Sequence, residues 1–124
     1  MPNKLHVSDI RPFIPAQSFE HSKLFYSSIG WTVKDVATDL ALVESRDVHF
    51  YLQDYYVKEF AENTMLHITV EDAHAWYQHV DAVLRDKRFP AARVQPPKLQ
   101  PYGALVTFIH DPAGVLLHLC QWNP

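Results

Sequence analysis

Three histidines, His49, His67 and His118, lie in segments where apolar and polar residues alternate, so each ring should stand on a strand opposite an apolar row. Gathered on one face, three imidazoles could hold zinc or iron with one coordination position open, a pattern that metal catalysis can use. Arg11 brings different chemistry, a planar donor fork suited to an anionic or carbonyl-bearing group. Cys120 follows His118 by two residues on the same face, but a same-strand neighbour is not by itself a base that activates a thiol. The chain has no glycine-rich phosphate loop, no nucleophile elbow and no Cys-x-x-Cys pair.

The elements that must position these groups follow from periodicity and punctuation. Residues 9–16 read as an edge-type strand limited by Pro12 and Pro15. A helix from Phe19 to Ile29 follows Ser18 and stops at Gly30. Strands come next over Trp31–Ala37, Leu40–Glu44 and Val48–Gln53. After a polar connection over 54–63, the pattern predicts a strand at Met65–Val70 and a helix capped by Glu71-Asp72 that runs to about Arg85. A weak strand near Ala92–Gln95 and clear ones over Ala104–Ile109 and Val115–Gln121 complete the chain, the last two joined by the turn Asp111-Pro112-Ala113-Gly114. The order β-α-β-β-β thus occurs twice, as a repeat of pattern rather than of letters. The expected fold class is α+β: two tandem βαβββ modules, about 9–53 and 64–121, with mixed, strongly curved sheets enclosing a concave cavity.

Composition sets the frame. The chain has 124 residues, 48% hydrophobic and 20% charged, the profile of a single globular domain over 1–124. A net charge of -3 with eleven scattered basic residues gives no footprint for nucleic acid or an anionic membrane. The amino terminus lacks the apolar run of a signal peptide, no stretch approaches the roughly 20 apolar residues of a spanning helix, and the single cysteine allows no internal disulfide. The expected location is cytoplasmic. Neither module alone would bury its sheet well, which favours pairing of modules or of two chains.

Alternation also assigns faces. Val48, Phe50 and Leu52, then Leu66, Ile68 and Val70, then Val115, Leu117 and Leu119 should lie under the helices. The opposite rows carry Arg11, Phe13, His49, Tyr51, Met65, His67, Thr69, Leu116, His118 and Cys120. A solvated face would waste Phe13, Met65 and Leu116, whereas a dry core would have to bury Arg11 and three histidines. A ligand pocket with aromatic walls and a few converging polar groups accommodates both. Trp76 and Tyr77 read as helix packing, His21, His74 and His79 as solvated helix positions, and Asp111 as a turn former that accepts backbone hydrogens. In the stiff loop 96–103, Tyr102 would serve either as a lid residue or as part of a rigid connector.

Three segments carry a family resemblance: Ile14-Pro15-Ala16-Gln17-Ser18-Phe19 leading into Lys23-Leu24-Phe25-Tyr26 and Ile29-Gly30-Trp31; His67-Ile68-Thr69-Val70-Glu71-Asp72 leading into Trp76-Tyr77; and Asp111-Pro112-Ala113-Gly114-Val115-Leu116-Leu117-His118-Leu119. In this order and spacing the chain, over about residues 9–121, resembles the glyoxalase, bleomycin-resistance and extradiol-dioxygenase superfamily, the vicinal oxygen chelate proteins. The stretch Leu52-Gln53-Asp54-Tyr55-Tyr56-Val57-Lys58 looks like the linker of its bleomycin-resistance-like branch. Metal-dependent members draw ligands from the first and last strand of each half. The resemblance places Arg11, Tyr51 or His49, Met65 or His67, and His118 at those positions, with His118 where the family commonly has glutamate. Arg11 cannot ligate a dication and Met65 suits hard metals poorly.

The resemblance therefore implies sequestration of the bleomycin-resistance type rather than catalysis. The expectation is a homodimer that binds a small apolar or aromatic molecule with no metal, cofactor or catalytic residue, in a cavity at the dimer interface. Phe13, Tyr51 and Met65 would form its walls, Arg11, His49, His67 and His118 its polar contacts, and Tyr102 its lid. The alternative is a metal-dependent lyase, isomerase, transferase or dioxygenase using His49, His67 and His118. A dimer with no small-molecule role is a third reading.

Overall fold

The computed structural model describes residues 4–124. Its first half runs β1 (Phe13–Pro15), α1 (Phe19–Ser28), β2 (Thr32–Ala37), β3 (Leu40–Ser45) and β4 (Val48–Gln53). A short helix, α2 (Lys58–Glu62), leads to the second half: β5 (Met65–Thr69), α3 (Ala73–Leu84), β6 (Arg93–Val94), β7 (Lys98–Leu99), β8 (Ala104–His110) and β9 (Leu116–Trp122). The first sheet has the order β1-β4-β3-β2; in the second, β5-β9-β8-β6 is extended by β7, which pairs with β8. In each half the first strand lies parallel to the last, β1 on β4 and β5 on β9, and the remaining pairs are antiparallel. The sheets are thus mixed, as expected for two βαβββ modules.

Local chemistry explains the boundaries. Phe19, Ser22, Phe25 and Tyr26 form the buried side of α1. The helix closes with the Trp31 amide donating to the Tyr26 carbonyl and the Gly30 amide to that of Ser27, with Gly30 at φ 115°. This paired closure needs a left-handed residue, and glycine supplies it without a Cβ clash. Asp72 caps α3, its Oδ1 accepting from the Ala75 amide at 3.0 Å.

Several elements differ from the sequence expectation. β1 is confined to Phe13–Pro15 rather than spanning 9–16, because Pro12 and Pro15 have no amide to donate and Asp9 is drawn into side-chain bonds. The polar connection contains α2, a single turn too short to leave a periodic signal. Part of the stiff 96–103 loop is β7, so this loop is tied to β8. His21 is not a solvated helix position: its ring stacks on Phe89, centroids 4.9 Å apart.

One hydrophobic cluster joins the halves, taking Phe25, Tyr26, Val43, Phe50 and Leu52 from the first and Val80, Phe89, Ile109, Leu117 and Leu119 from the second. Phe89 packs edge-on against Phe25 at 5.4 Å. A buried hydrogen bond also crosses between the halves, from the Tyr26 hydroxyl to Asp111 Oδ2 at 2.7 Å. Asp111 shapes the β8–β9 hairpin too, since its Oδ1 accepts from the amides of Ala113 and Val115. Gly114 completes that turn at φ 96°, with the position of an added Cβ only 3.4 Å from Glu62 Cγ. Gly114→Ala is expected to lower stability by about 1–2 kcal/mol, read as a shift in the urea midpoint at unchanged slope, because a Cβ is strained at that φ.

Candidate functional site

The helix-side rows of both sheets feed one core and the opposite rows turn away from it; that of the second sheet includes a small buried cluster of Ala104, Val106 and Cys120. The expected site residues accordingly fall into two groups. Arg11, Phe13, His49 and Tyr51 belong to the first sheet; Met65, His67, Tyr102 and His118 belong to the second.

In the first group, register sets Phe13 beside Tyr51, with ring centroids 4.9 Å apart. Arg11 donates from Nη1 to the Tyr51 hydroxyl and from Nε to Asp9 Oδ2, both at 2.8 Å. His49 Nε2 donates to the same carboxylate at 2.7 Å. Hydrogen bonds from His49 and Arg11 hold the Asp9 carboxyl down at about 2. Asp9 was absent from the expected set, although its spacing of two residues from Arg11 puts both on one side of an extended chain. It spends much of the donor capacity of Arg11 and takes up the Nε2 of His49.

The second group is built on the parallel pairing of β5 and β9, which sets Met65 beside Leu116 and His67 beside His118. Trp122 stands between two rings, 5.7 Å from His67 and 5.7 Å from Tyr102. It escaped the sequence reading because the last strand was ended one residue early. Tyr102 sits in the β7–β8 turn, half exposed, with its ring beside Trp122. His118 packs edge-on against Phe108 at 4.9 Å, and its buried Nε2 has no hydrogen-bond partner. Burial, reinforced by His67, pushes its pKa down, which favours the neutral imidazole. Cys120 donates weakly to the His118 carbonyl, and burial raises its pKa, so the thiol form prevails.

A cleft of about 320 Å³ lies where β5 approaches the start of β4, and both His49 and His67 line it with Asp9, Trp31 and Leu66. A larger one, about 530 Å³, lies between the Ser45–Arg46 turn and the start of α3, away from both open faces. Among the described residues no group of three or more His, Cys, Asp or Glu side chains is arranged to hold a metal ion. The His49 Nε2 is held by Asp9, and the Arg11 guanidinium on the same carboxylate would repel a dication. The thioether of Met65 suits a hard metal poorly, so this donor set does not fit one.

Comparison with solved structures places this geometry. A bleomycin resistance determinant encoded on the transposon Tn5 superposes with a TM-score of 0.78 at 20% identity, covering 95% of this chain and 100% of that one. The chain has the fold of that bleomycin resistance determinant. A bleomycin-binding protein complexed with bleomycin matches this fold equally, with a TM-score of 0.78, 19% identity and coverage of 93% and 98%. A glyoxalase/bleomycin resistance protein/dioxygenase from Nocardioides matches with a TM-score of 0.70, 16% identity and coverage of 95% and 87%. No protein-family model matches the sequence, and no curated protein matches it significantly. At these identities the bleomycin-resistance likeness is one of fold, and function has to be argued from the faces themselves.

Proposed function

We propose that this protein binds and sequesters a small, largely apolar or aromatic molecule without a metal, in the manner of an antibiotic-resistance protein. The observation that carries this reading is the open face of each sheet. Phe13 is 48% exposed, Met65 62% and Trp122 44%, each on the side turned away from the core and among polar groups able to orient a ligand. Apolar patches rimmed by polar groups mark binding surfaces rather than ordinary exterior. In the proposed assembly two copies complete the cavity, the first-sheet face of one meeting the second-sheet face of the other. That arrangement supplies the cover that one chain leaves undone. The solved bleomycin-binding protein of the same fold, complexed with bleomycin, supports a ligand of this kind. No helix among the described residues is long and apolar enough to cross a membrane, and the reading places the protein in the cytoplasm.

The test is a thermal-shift screen of a diverse aromatic library, bleomycin included, on protein carrying no histidine tag. A true binder raises the melting temperature in a concentration-dependent way, by about 2.7 kcal/mol of apparent stability at a hundredfold excess over Kd. Elemental analysis of the same protein checks the metal-free claim. Near-stoichiometric zinc, nickel, manganese or iron that disappears in His118→Ala would overturn it, as a library without a single hit would overturn the binding reading.

A further inference from the structure

The two open faces differ in charge in a way that bears on the ligand. On the open face of the first sheet the two cations have anions beside them: Asp9 meets Arg11 at 2.8 Å, and Glu44 meets Lys34 at 3.1 Å. On the second sheet none does. Register puts Arg93 opposite His110, on the side away from the core that takes its neighbour Val94. It puts Lys98 opposite Val106, which is buried in the small cluster on the same side as Cys120. Neither Arg93 nor Lys98 takes part in an ion pair among the described residues. The strands of this sheet hold no Asp or Glu; the acidic residues after β5 are Glu71, Asp72, Asp81, Asp86 and Asp111, in α3, its flanks and the β8–β9 turn.

Two imidazole nitrogens on the same face, His110 Nδ1 and His118 Nε2, are buried without a partner. Burial lowers the pKa of both rings, helped by Arg93 at His110 and by His67 at His118. The face thus carries two unanswered cations along its length, Lys98 toward the end that holds Trp122 and Tyr102 and Arg93 beside His110 at the other end, with two buried ring nitrogens left unspent beneath them. An anionic group seated there gains charge-assisted hydrogen bonds. An ammonium group meets like charge there and finds no carboxylate in the strands of this sheet.

We infer that the second-sheet face selects ligands whose aromatic body carries a negative charge, a carboxylate or similar oxyanion, over neutral or cationic counterparts. The inference rests on the binding reading above and deepens it by fixing the sign of the ligand's charge. Calorimetric titration of the full chain with 2-naphthoate, 2-naphthamide and 2-naphthylmethylammonium at low ionic strength tests it. The carboxylate should bind at least about tenfold tighter than the ammonium, with the amide between them. The double variant Arg93→Gln, Lys98→Gln, its fold checked by circular dichroism, should bring the three within about threefold of one another. In the wild type, added salt should narrow the same gap, so the charge effect is read even if the variant folds poorly. An ammonium that binds as tightly as the carboxylate, or a preference that survives both the substitutions and salt, would overturn the charge inference and leave the binding reading intact. Failure of all three probes to bind would overturn both.

Discussion

Asp111→Ala is expected to lower the unfolding free energy by about 3 kcal/mol, the largest loss from any single polar substitution in this chain. The carboxylate is fully buried and accepts from the Tyr26 hydroxyl and from the Ala113 and Val115 amides. Removing it strands three buried donors, each costing on the order of 1 kcal/mol or more. Tyr26→Phe removes only one of those bonds and should cost about 1–2 kcal/mol. The same site gives a pH signature. Desolvation outweighs the hydrogen bonds and raises the Asp111 carboxyl from 3.8 to about 6. A carboxyl raised on folding takes up protons more readily in the folded state, so its contribution is full below pH 3.8 and is lost as the pH rises through about 6. Between pH 7 and pH 5 the wild type should therefore gain roughly 1 kcal/mol from this group. Urea unfolding of wild type and Asp111→Asn at both pH values checks this: the variant should lose that gain, and an unchanged difference would rule Asp111 out as its source.

Phe13→Lys combined with Met65→Lys is expected to convert a dimer into a monomer and to weaken ligand binding by about a hundredfold or more. Both side chains stand well exposed on the open faces that a second copy is proposed to cover. An ammonium placed in that interface loses its hydration and finds no free carboxylate, since Asp9 is already committed to Arg11 and His49. Unpaired charges of this kind cost several kcal/mol each, enough for two orders of magnitude in affinity. Because neither residue belongs to the shared core, circular dichroism and the melting temperature of the isolated chain should change little. Sedimentation at micromolar concentration reads the outcome directly. A monomeric wild type that still binds its ligand, or a variant that remains dimeric, would sink the shared-cavity arrangement.

The face assignments show what was legible before any coordinates. Alternation alone placed Phe50 and Leu52 inward and His49 and Tyr51 outward, and it separated Leu117 and Leu119 from His118 in the same way. The doubled βαβββ order was readable because glycine, proline and aspartate mark the turns. Alternation has no information on how two sheets are oriented to each other, and so it merged into one set the residues that a single chain displays on two faces. It was equally silent on partners distant in the chain. Asp111 was recognisable as a turn former, but its partner Tyr26 lies 85 positions away. Asp9 opened the expected 9–16 strand on the same side as Arg11, yet it was left out of the set, because alternation carries no sign of its bond to His49, 40 positions away. Trp122 was lost to a boundary shift of one residue, the least reliable part of any periodic reading.

The buried thiol of Cys120 has a kinetic use. It is the chain's only cysteine, it is fully buried, and it lies in β9 between β5 and β8. A thiol-specific reagent reaches it only when the side chains packed over that face, or β9 itself, move aside, so the rate of labelling under native conditions is a clock for that opening. Any molecule that settles on the second-sheet face and holds the strand down must slow the clock, and the protein therefore carries its own occupancy reporter without an added probe.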